Sequence, residues 1–291
     1  MAVGASDARE RRRAEAGGTA VEANVVEIFA SAQGEGPYVG AATVFVRLGE
    51  CDLRCAWCDS PTTWRPAREA RIERAPGTGE FDVAPNPLAI ERIDEAIGAL
   101  APVGEGFVSL TGGEPLLQPA AVRALALRAR ARGLASYLET HGLAVDALRE
   151  VVDAIDVVSM DWKLASDVAR APAPRGEASA VATVGREGVE GFEGFDAAHA
   201  AFLALAAERA GEVYVKIVVS PNTRDDEVER ACRAIARTAP EVLLVLQPVT
   251  PFAKVREGSS AARMLGLQRS CAQWLADVRI IPQTHRAYGA L

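Results

Sequence analysis

From Asn24 onward, short β-branched runs alternate with longer segments rich in Ala, Leu and Arg, and this alternation constrains the fold more than any other feature. Strands are predicted at Val25–Phe29, Thr43–Leu48, Phe107–Thr111, Ser136–Thr140, Val157–Met160, Val213–Val219, Val242–Gln247 and Val278–Ile281. Helical patterns lie between them. Pro119–Arg132 sets Val122, Leu125 and Leu127 among arginines, and Asp225–Thr238 carries Val228, Ala231, Ile235 and Ala236. Strand alternating with helix implies a mostly parallel sheet or a barrel.

Two stretches break the rhythm. Pro66–Pro87 is rich in Gly and Pro, and Ala165–Phe195 is dominated by Ala, Gly, Pro and Glu; both read as insertions, too short and too polar for separate domains. The first 22 residues, ending at Glu22, carry Arg11-Arg12-Arg13 and no apolar period, so a disordered tail is expected ahead of one core domain over 23–291. Thirty-two Lys and Arg against 39 Asp and Glu give a net charge of -7, which supplies no global field for nucleic acid. No apolar run approaches the roughly 18 to 20 residues of a membrane span, and no signal peptide is recognisable, so a cytoplasmic protein is expected.

Three of the five cysteines, Cys51, Cys55 and Cys58, fall within eight residues, a pattern unlike a disulfide framework. Cys232 and Cys271, the latter within a predicted helix over Arg269–Ala276, are expected to be buried free thiols. Three soft thiolates on one short loop can each hold one iron of a cubane cluster, which leaves a further iron open to a small molecule. The alternative is a zinc knot, which usually wants a fourth Cys or His close by. His141, His199 and His285 are all distant in sequence.

Leu110-Thr111-Gly112-Gly113-Glu114-Pro115 follows a predicted strand and precedes a helix, the place where parallel α/β folds bind ligands. Its glycines permit close approach to the backbone, and Glu114 can accept a charged hydrogen bond from an ammonium. Glu139-Thr140-His141-Gly142 and Ser159-Met160-Asp161-Trp162-Lys163 set more polar groups at strand ends facing the same mouth.

With Trp57 just before the last cysteine, these motifs resemble the radical S-adenosylmethionine (SAM) superfamily. The resemblance implies an α/β fold, a partial (incomplete) β/α barrel with two insertions, and a [4Fe-4S] cluster on Cys51, Cys55 and Cys58. It implies that SAM chelates the open iron through its amino and carboxylate groups and is reductively cleaved to a 5'-deoxyadenosyl radical. SAM contacts are implied for Gly112, Gly113, Glu114, Glu139, Thr140, Ser159, Asp161 and Lys163.

The flanks narrow the resemblance. Glu27 to Gly36, Phe45-Val46-Arg47-Leu48, Asp59-Ser60, Gln247-Pro248-Val249-Thr250 and the closing Arg279 to Arg286 look like the 7-carboxy-7-deazaguanine synthase family. This implies a carbon-nitrogen lyase that converts 6-carboxy-5,6,7,8-tetrahydropterin to 7-carboxy-7-deazaguanine with loss of ammonia, in queuosine and 7-deazapurine biosynthesis. Magnesium, a reductant such as flavodoxin and a homodimer are implied with it. Gln33 and Glu35 are then expected to read the pterin edge, since an amide and a carboxylate match its donors and acceptors. Arg47 is expected to clamp the substrate carboxylate. His285 and the terminal carboxylate of Leu291 are expected to reach the same substrate, and Ser60 stands where the family usually carries a magnesium-binding threonine.

The match departs in two places: Glu50 occupies a position where the family commonly has glycine, and Ser-Met-Asp-Trp-Lys-Leu replaces a shorter segment. A glycyl-radical activating enzyme acting on a partner protein is the rival within the superfamily. It accounts for the cysteines and Gly-Gly-Glu-Pro but not for Gln33, Glu35, Arg47 and the Pro-Gln-Thr-His ending. A non-enzymatic zinc or iron-sulfur module using the Arg-rich tail is the rival outside it.

Overall fold

In the computed structural model, which describes residues 21–171, 195–252 and 255–289, the β-branched runs become strands of a single sheet. In chain order these are β1 (Val25–Ala32), β2 (Ala42–Leu48), β3 (Glu69–Glu73), β4 (Phe81–Pro85), β5 (Phe107–Gly112), β6 (Ala135–Thr140), β7 (Val157–Asp161), β8 (Glu212–Val219), β9 (Leu244–Pro248) and β10 (Val278–Ile280). They lie side by side in the order β10-β9-β8-β7-β6-β5-β2-β1-β3-β4. Every pair from β2 through β5 to β10 is parallel. β1 runs antiparallel to β2, β3 joins parallel to β1, and β4 returns antiparallel to β3.

A helix stands in each parallel crossover from β2 to β10: α1 (Ile90–Leu100), α2 (Pro119–Ala131), α3 (Val145–Val151), α4 (Asp196–Arg209), α5 (Asp225–Thr238) and α6 (Ala261–Cys271). Helical spacing puts Val122, Leu125, Ala126 and Ala129 of α2 on the sheet, and Val228, Ala231, Cys232 and Ile235 of α5 likewise, all fully buried. Each such Val, Leu or Ile contributes about 1.5–3 kcal/mol relative to exposure. Leu127 is not part of that stripe; it falls on the far side of α2 and is 41% exposed. Cys271 ends α6 rather than opening a helix toward Ala276, and it is buried, as is Cys232.

Among the described residues β10 pairs with nothing beyond β9, so the β/α barrel is incomplete. The gap is bridged by coil: the Thr284 N–H, just after β10, donates to the Gly34 carbonyl, just after β1, at 2.9 Å. The chain after β1 also closes the bottom. Tyr38 packs its ring on Phe107 at 5.0 Å and on Tyr137 at 6.0 Å, and its hydroxyl donates to Glu212 at 2.5 Å. Phe107 and Glu212 open β5 and β8, so the 33–38 segment crosses beneath the strands. Gly36 has φ 65, and a Cβ there would sit 2.2 Å from the Tyr214 hydroxyl, so only glycine fits this crossing.

The stretch Pro66–Pro87 is not a decoration but the source of β3 and β4, which extend the sheet. Asn24 pins its start by donating to the Ala67 carbonyl at 2.9 Å. Of the expected tail, residues 1–20 lie outside the described residues. Its last residues are tied down: Glu22–Ala23 pairs antiparallel with Leu88–Ala89, and the Ile90 N–H donates to the Val21 carbonyl at 3.2 Å. Most of the second stretch also lies outside the described residues, but its start, Val168–Arg170, pairs antiparallel with Leu53–Cys55. Among the described residues no helix is long and apolar enough to cross a membrane.

Candidate active site

The cysteine loop begins where β2 ends, and its start depends on a close backbone approach. Leu48 and Glu50 carbonyls accept the N–H groups of Gly113 and Glu114 at 3.0 and 2.8 Å. A Cβ on Gly112 would lie 2.1 Å from the Leu48 oxygen, and one on Gly113 would lie 1.9 Å from the Glu50 oxygen. The two glycines therefore let the end of β5 touch the cysteine loop itself. Glu50 has φ 73, the left-handed region that favours glycine, which explains physically why a glycine suits that position.

Past Glu50 the loop is stapled by its own backbone and by the stretch after β7. Arg54 donates to the Cys51 carbonyl at 2.9 Å and lies over the Trp64 ring at 4.7 Å. Ala56 N–H donates to the Asp167 carbonyl at 2.9 Å, and Cys58 N–H to the Cys55 carbonyl at 3.2 Å. Asp167 is anchored in turn by the Ser220 and Thr223 hydroxyls. The three cysteines are half-buried and line a cavity of about 210 Å³.

Other expected residues reach the same cavity from separate parts of the chain. Gly112, Gly113, Glu139, Thr140, Ser159 and Asp161 come from the carboxyl ends of β5, β6 and β7, with Lys163 just beyond. Arg47 and Ser60 form the wall beside the cysteines, Gln33 and Glu35 enter from the crossing below, and His285 comes from the closing segment. Leu291 lies outside the described residues. Glu114 stands behind the wall, fully buried, with its carboxylate spent on protein donors: the Leu116 N–H at 3.0 Å, the Thr140 hydroxyl at 2.7 Å and the His141 N–H at 2.9 Å. Glu114 is not among the residues lining the cavity, and its carboxylate holds the end of β6 in place.

Charges alternate across the cavity. Lys163 Nζ lies 4.5 Å above the Trp57 ring and 2.6 Å from Asp161 Oδ2. Burial works against the Asp161 carboxylate, but Lys163 and Lys216 outweigh it and hold the group below the usual carboxylate range. Glu139 accepts from Ser109 at 2.7 Å, Thr111 at 3.1 Å and Gln33 at 3.1 Å. Arg47 donates through Nε to Glu27 at 2.9 Å, which leaves the outer edge of its guanidinium toward the cavity, 3.5 Å from Ser60 Oγ.

Lys216, Gln247 and Gln283 are among the cavity residues that escaped the sequence reading as site residues. Lys216 had a signal, since a lysine in the middle of an apolar strand must face something polar. The glutamines stood in segments that carry the family resemblance, but their roles depend on partners far away in the chain.

The donor set fits the groups the motifs imply. Burial pushes the Cys51 thiol up to about 12 and raises Cys55 as well, so thiolates here call for a metal to take their charge. Among the described residues no three His, Cys, Asp or Glu side chains converge on one metal ion. A zinc knot needs that convergence, whereas a cubane takes each thiolate on a different iron. Trp57 Nε1, Asp161 Oδ1 and Gln247 Oε1 are buried without a hydrogen-bond partner, as groups awaiting a polar ligand would be; Asp161 Oδ1 has only an ion pair with Lys216, at 3.2 Å. At Ser60 the hydroxyl donates to Asp59 at 3.0 Å, two oxygen groups that suit magnesium only if substrate or water completes the shell.

Comparison with known proteins agrees with this geometry. Residues 46–235 match the family model described as the Radical SAM superfamily. The 7-carboxy-7-deazaguanine synthase of Geobacter sulfurreducens is 35% identical over 92% of this chain and 98% of its own length. That of Methanopyrus kandleri is 34% identical over 90% of this chain and 92% of its own. The crystal structure of QueE from Escherichia coli superposes with a TM-score of 0.54 at 22% identity, covering 91% of this chain and 95% of that one, a likeness of fold. The chain belongs to the 7-carboxy-7-deazaguanine synthase family of the radical SAM superfamily.

Proposed function

We propose that the chain converts 6-carboxy-5,6,7,8-tetrahydropterin to 7-carboxy-7-deazaguanine with loss of ammonia. One observation carries the reading: segments from both ends of the chain that resemble the family's cluster loop, SAM wall and pterin contacts line one cavity. When bound, the [4Fe-4S] cluster and SAM supply the radical that starts the ring contraction. The chain's own task is to bind, orient and exclude water.

Cys51, Cys55 and Cys58 hold the cluster. Gly112, Gly113, Glu139, Thr140, Ser159, Asp161 and Lys163 form the SAM wall, and the restraint of Glu139 by three donors supports an orienting role. Glu35 reads the donor edge of the pterin. Gln33 shapes that turn, since its side-chain Oε1 accepts the N–H groups of Gly34 and Glu35 at 2.8 and 3.1 Å. Arg47, aimed by Glu27, takes the substrate carboxylate, and His285, packed against Gly34, adds a further contact. Ser60 with substrate oxygens holds magnesium. An external donor such as flavodoxin, a homodimer and a cytoplasmic setting complete the reading as the resemblance implies.

A small substrate is favoured over a partner protein by the mouth of the cavity. There Arg286 donates to Asp59 at 3.1 Å and lies over Phe252 at 5.5 Å, tying the closing segment to the end of the cysteine loop. The test is pterin binding to SAM-loaded, unreduced enzyme. Arg47→Ala weakens it by about 1.5–3 kcal/mol and leaves SAM affinity intact; equal loss of both contradicts the clamp.

A further inference from the structure

Lys216 lines the cavity with its side chain only 8% exposed. It projects from β8 on the face it shares with Tyr214 and Val218. Its ammonium pairs with Asp161 Oδ1 at 3.2 Å on one side and with Glu35 Oε2 on the other. Glu35 Oε1 accepts from Gln283 at 2.6 Å. A row of alternating charge, Lys163, Asp161, Lys216 and Glu35, thus runs from beside Trp57 to the crossing under the barrel.

A buried lysine is costly unless paired, and here its partners lie on different elements, so it ties β7 and β8 to the turn at Glu35. An ionised carboxylate accepts at about four lone-pair sites. Lys216 and Gln283 occupy one on each oxygen and leave one on each for a ligand. What fits is a planar ring edge with two adjacent N–H donors, as in the amino-oxo half of a pterin. Without the ammonium the Glu35 carboxylate would keep only the Gln283 amide as a side-chain donor, and nothing would fix the direction of its second oxygen.

We propose that Lys216 is the positioning residue that holds Glu35 as a two-point acceptor and so makes the site selective for a substrate with paired N–H donors. The inference rests on the pterin reading above and adds to it a residue that acts through Glu35.

The test uses cluster-reconstituted enzyme loaded with SAM and kept unreduced, with dissociation constants measured for the carboxytetrahydropterin and for its analogue lacking the 2-amino group. Lys216→Met is expected to weaken pterin binding about tenfold to a hundredfold, the factor that corresponds to a charged hydrogen bond. It should weaken SAM binding much less than pterin binding, since Asp161 keeps its pairing with Lys163, and shrink the preference over the analogue. Glu35→Gln is expected to give a similar loss, and the double variant little beyond either single one. Lys216→Arg should recover part of the affinity, and if Lys216→Met does not fold, Lys216→Gln carries the same expectation. Unchanged pterin affinity, equal loss of SAM affinity, or losses that simply add would each overturn the role of Lys216. Wild-type enzyme that binds SAM but no pterin would overturn the pterin reading itself, and the role built on it.

Discussion

His141 Nε2 lies 2.8 Å from Asp52 Oδ1, and this contact ties the cysteine loop to the end of β6. The Leu143 N–H donates to the ring's Nδ1 at 3.1 Å, so Nε2 carries the proton directed at Asp52. Both groups are largely withdrawn from water, and the Arg170 guanidinium lies 3.6 Å from the other oxygen of Asp52. His141→Ala strands the carboxylate. The expected cost is about 1–3 kcal/mol in denaturant unfolding, with less iron retained per chain after reconstitution. Unaltered stability and iron content would show that the contact is incidental.

The two kinds of cysteine separate cleanly by experiment. Replacing Cys51, Cys55 or Cys58 by Ala removes an iron ligand, and iron and sulfide content and the cluster's visible absorbance should collapse. Cys232→Ala and Cys271→Ala, changes between helices away from the cavity, should keep the full cluster. A cluster that survives loss of Cys55 contradicts the ligand assignment.

Glu50 offers a stability gain. Its left-handed φ of 73 costs a non-glycine residue about 1–2 kcal/mol, and glycine gives back about half of that as unfolded-chain entropy. Glu50→Gly is therefore expected to stabilise by about 0.5–1 kcal/mol in chemical denaturation. Gly113→Ala should act in the opposite sense and more strongly, because its Cβ would lie 1.9 Å from the Glu50 oxygen.

The parallel sheet was legible in sequence because each of its strands is a β-branched run backed by a helix. β3 and β4 were not, because an edge hairpin with β4 mostly exposed needs no apolar alternation, and Pro66–Pro87 accordingly reads as a loop. At the site, the polar groups at the ends of β6 and β7 could be placed by topology alone. The direction of Glu114 could not, since it is set by Thr140 and His141 on the next strand. Lys216 lay inside a predicted strand, but its meaning depends on Glu35 and Asp161, which only the folded chain brings to it.

His199 gives the protein a pH-dependent stability. Burial pushes this histidine down to about 3, and it stacks on Trp162 at 4.8 Å. Below about pH 6.5 the unfolded chain binds a proton there that the folded chain does not, so stability falls as pH drops, by up to about 1.4 kcal/mol per unit. Burial works against a charged His141 too, but Glu114 and Asp52 lift that group, so its own contribution changes above pH 6.5. The depressed carboxylates such as Asp161 act nearer pH 4 and below. Between about pH 4.5 and 6, denaturant midpoints should fall with acidity, and His199→Phe should flatten the slope. A slope that persists in the variant assigns the effect elsewhere.

The most direct test of the central claim is turnover. The protein is reconstituted anaerobically with iron and sulfide, reduced, and given SAM, magnesium and 6-carboxy-5,6,7,8-tetrahydropterin, and the products are followed by mass. The account predicts 7-carboxy-7-deazaguanine, formed by the wild type and lost in Cys55→Ala. Reductive cleavage of SAM with no deazaguanine formed would contradict it, keeping the radical SAM chemistry while rejecting the pterin as substrate.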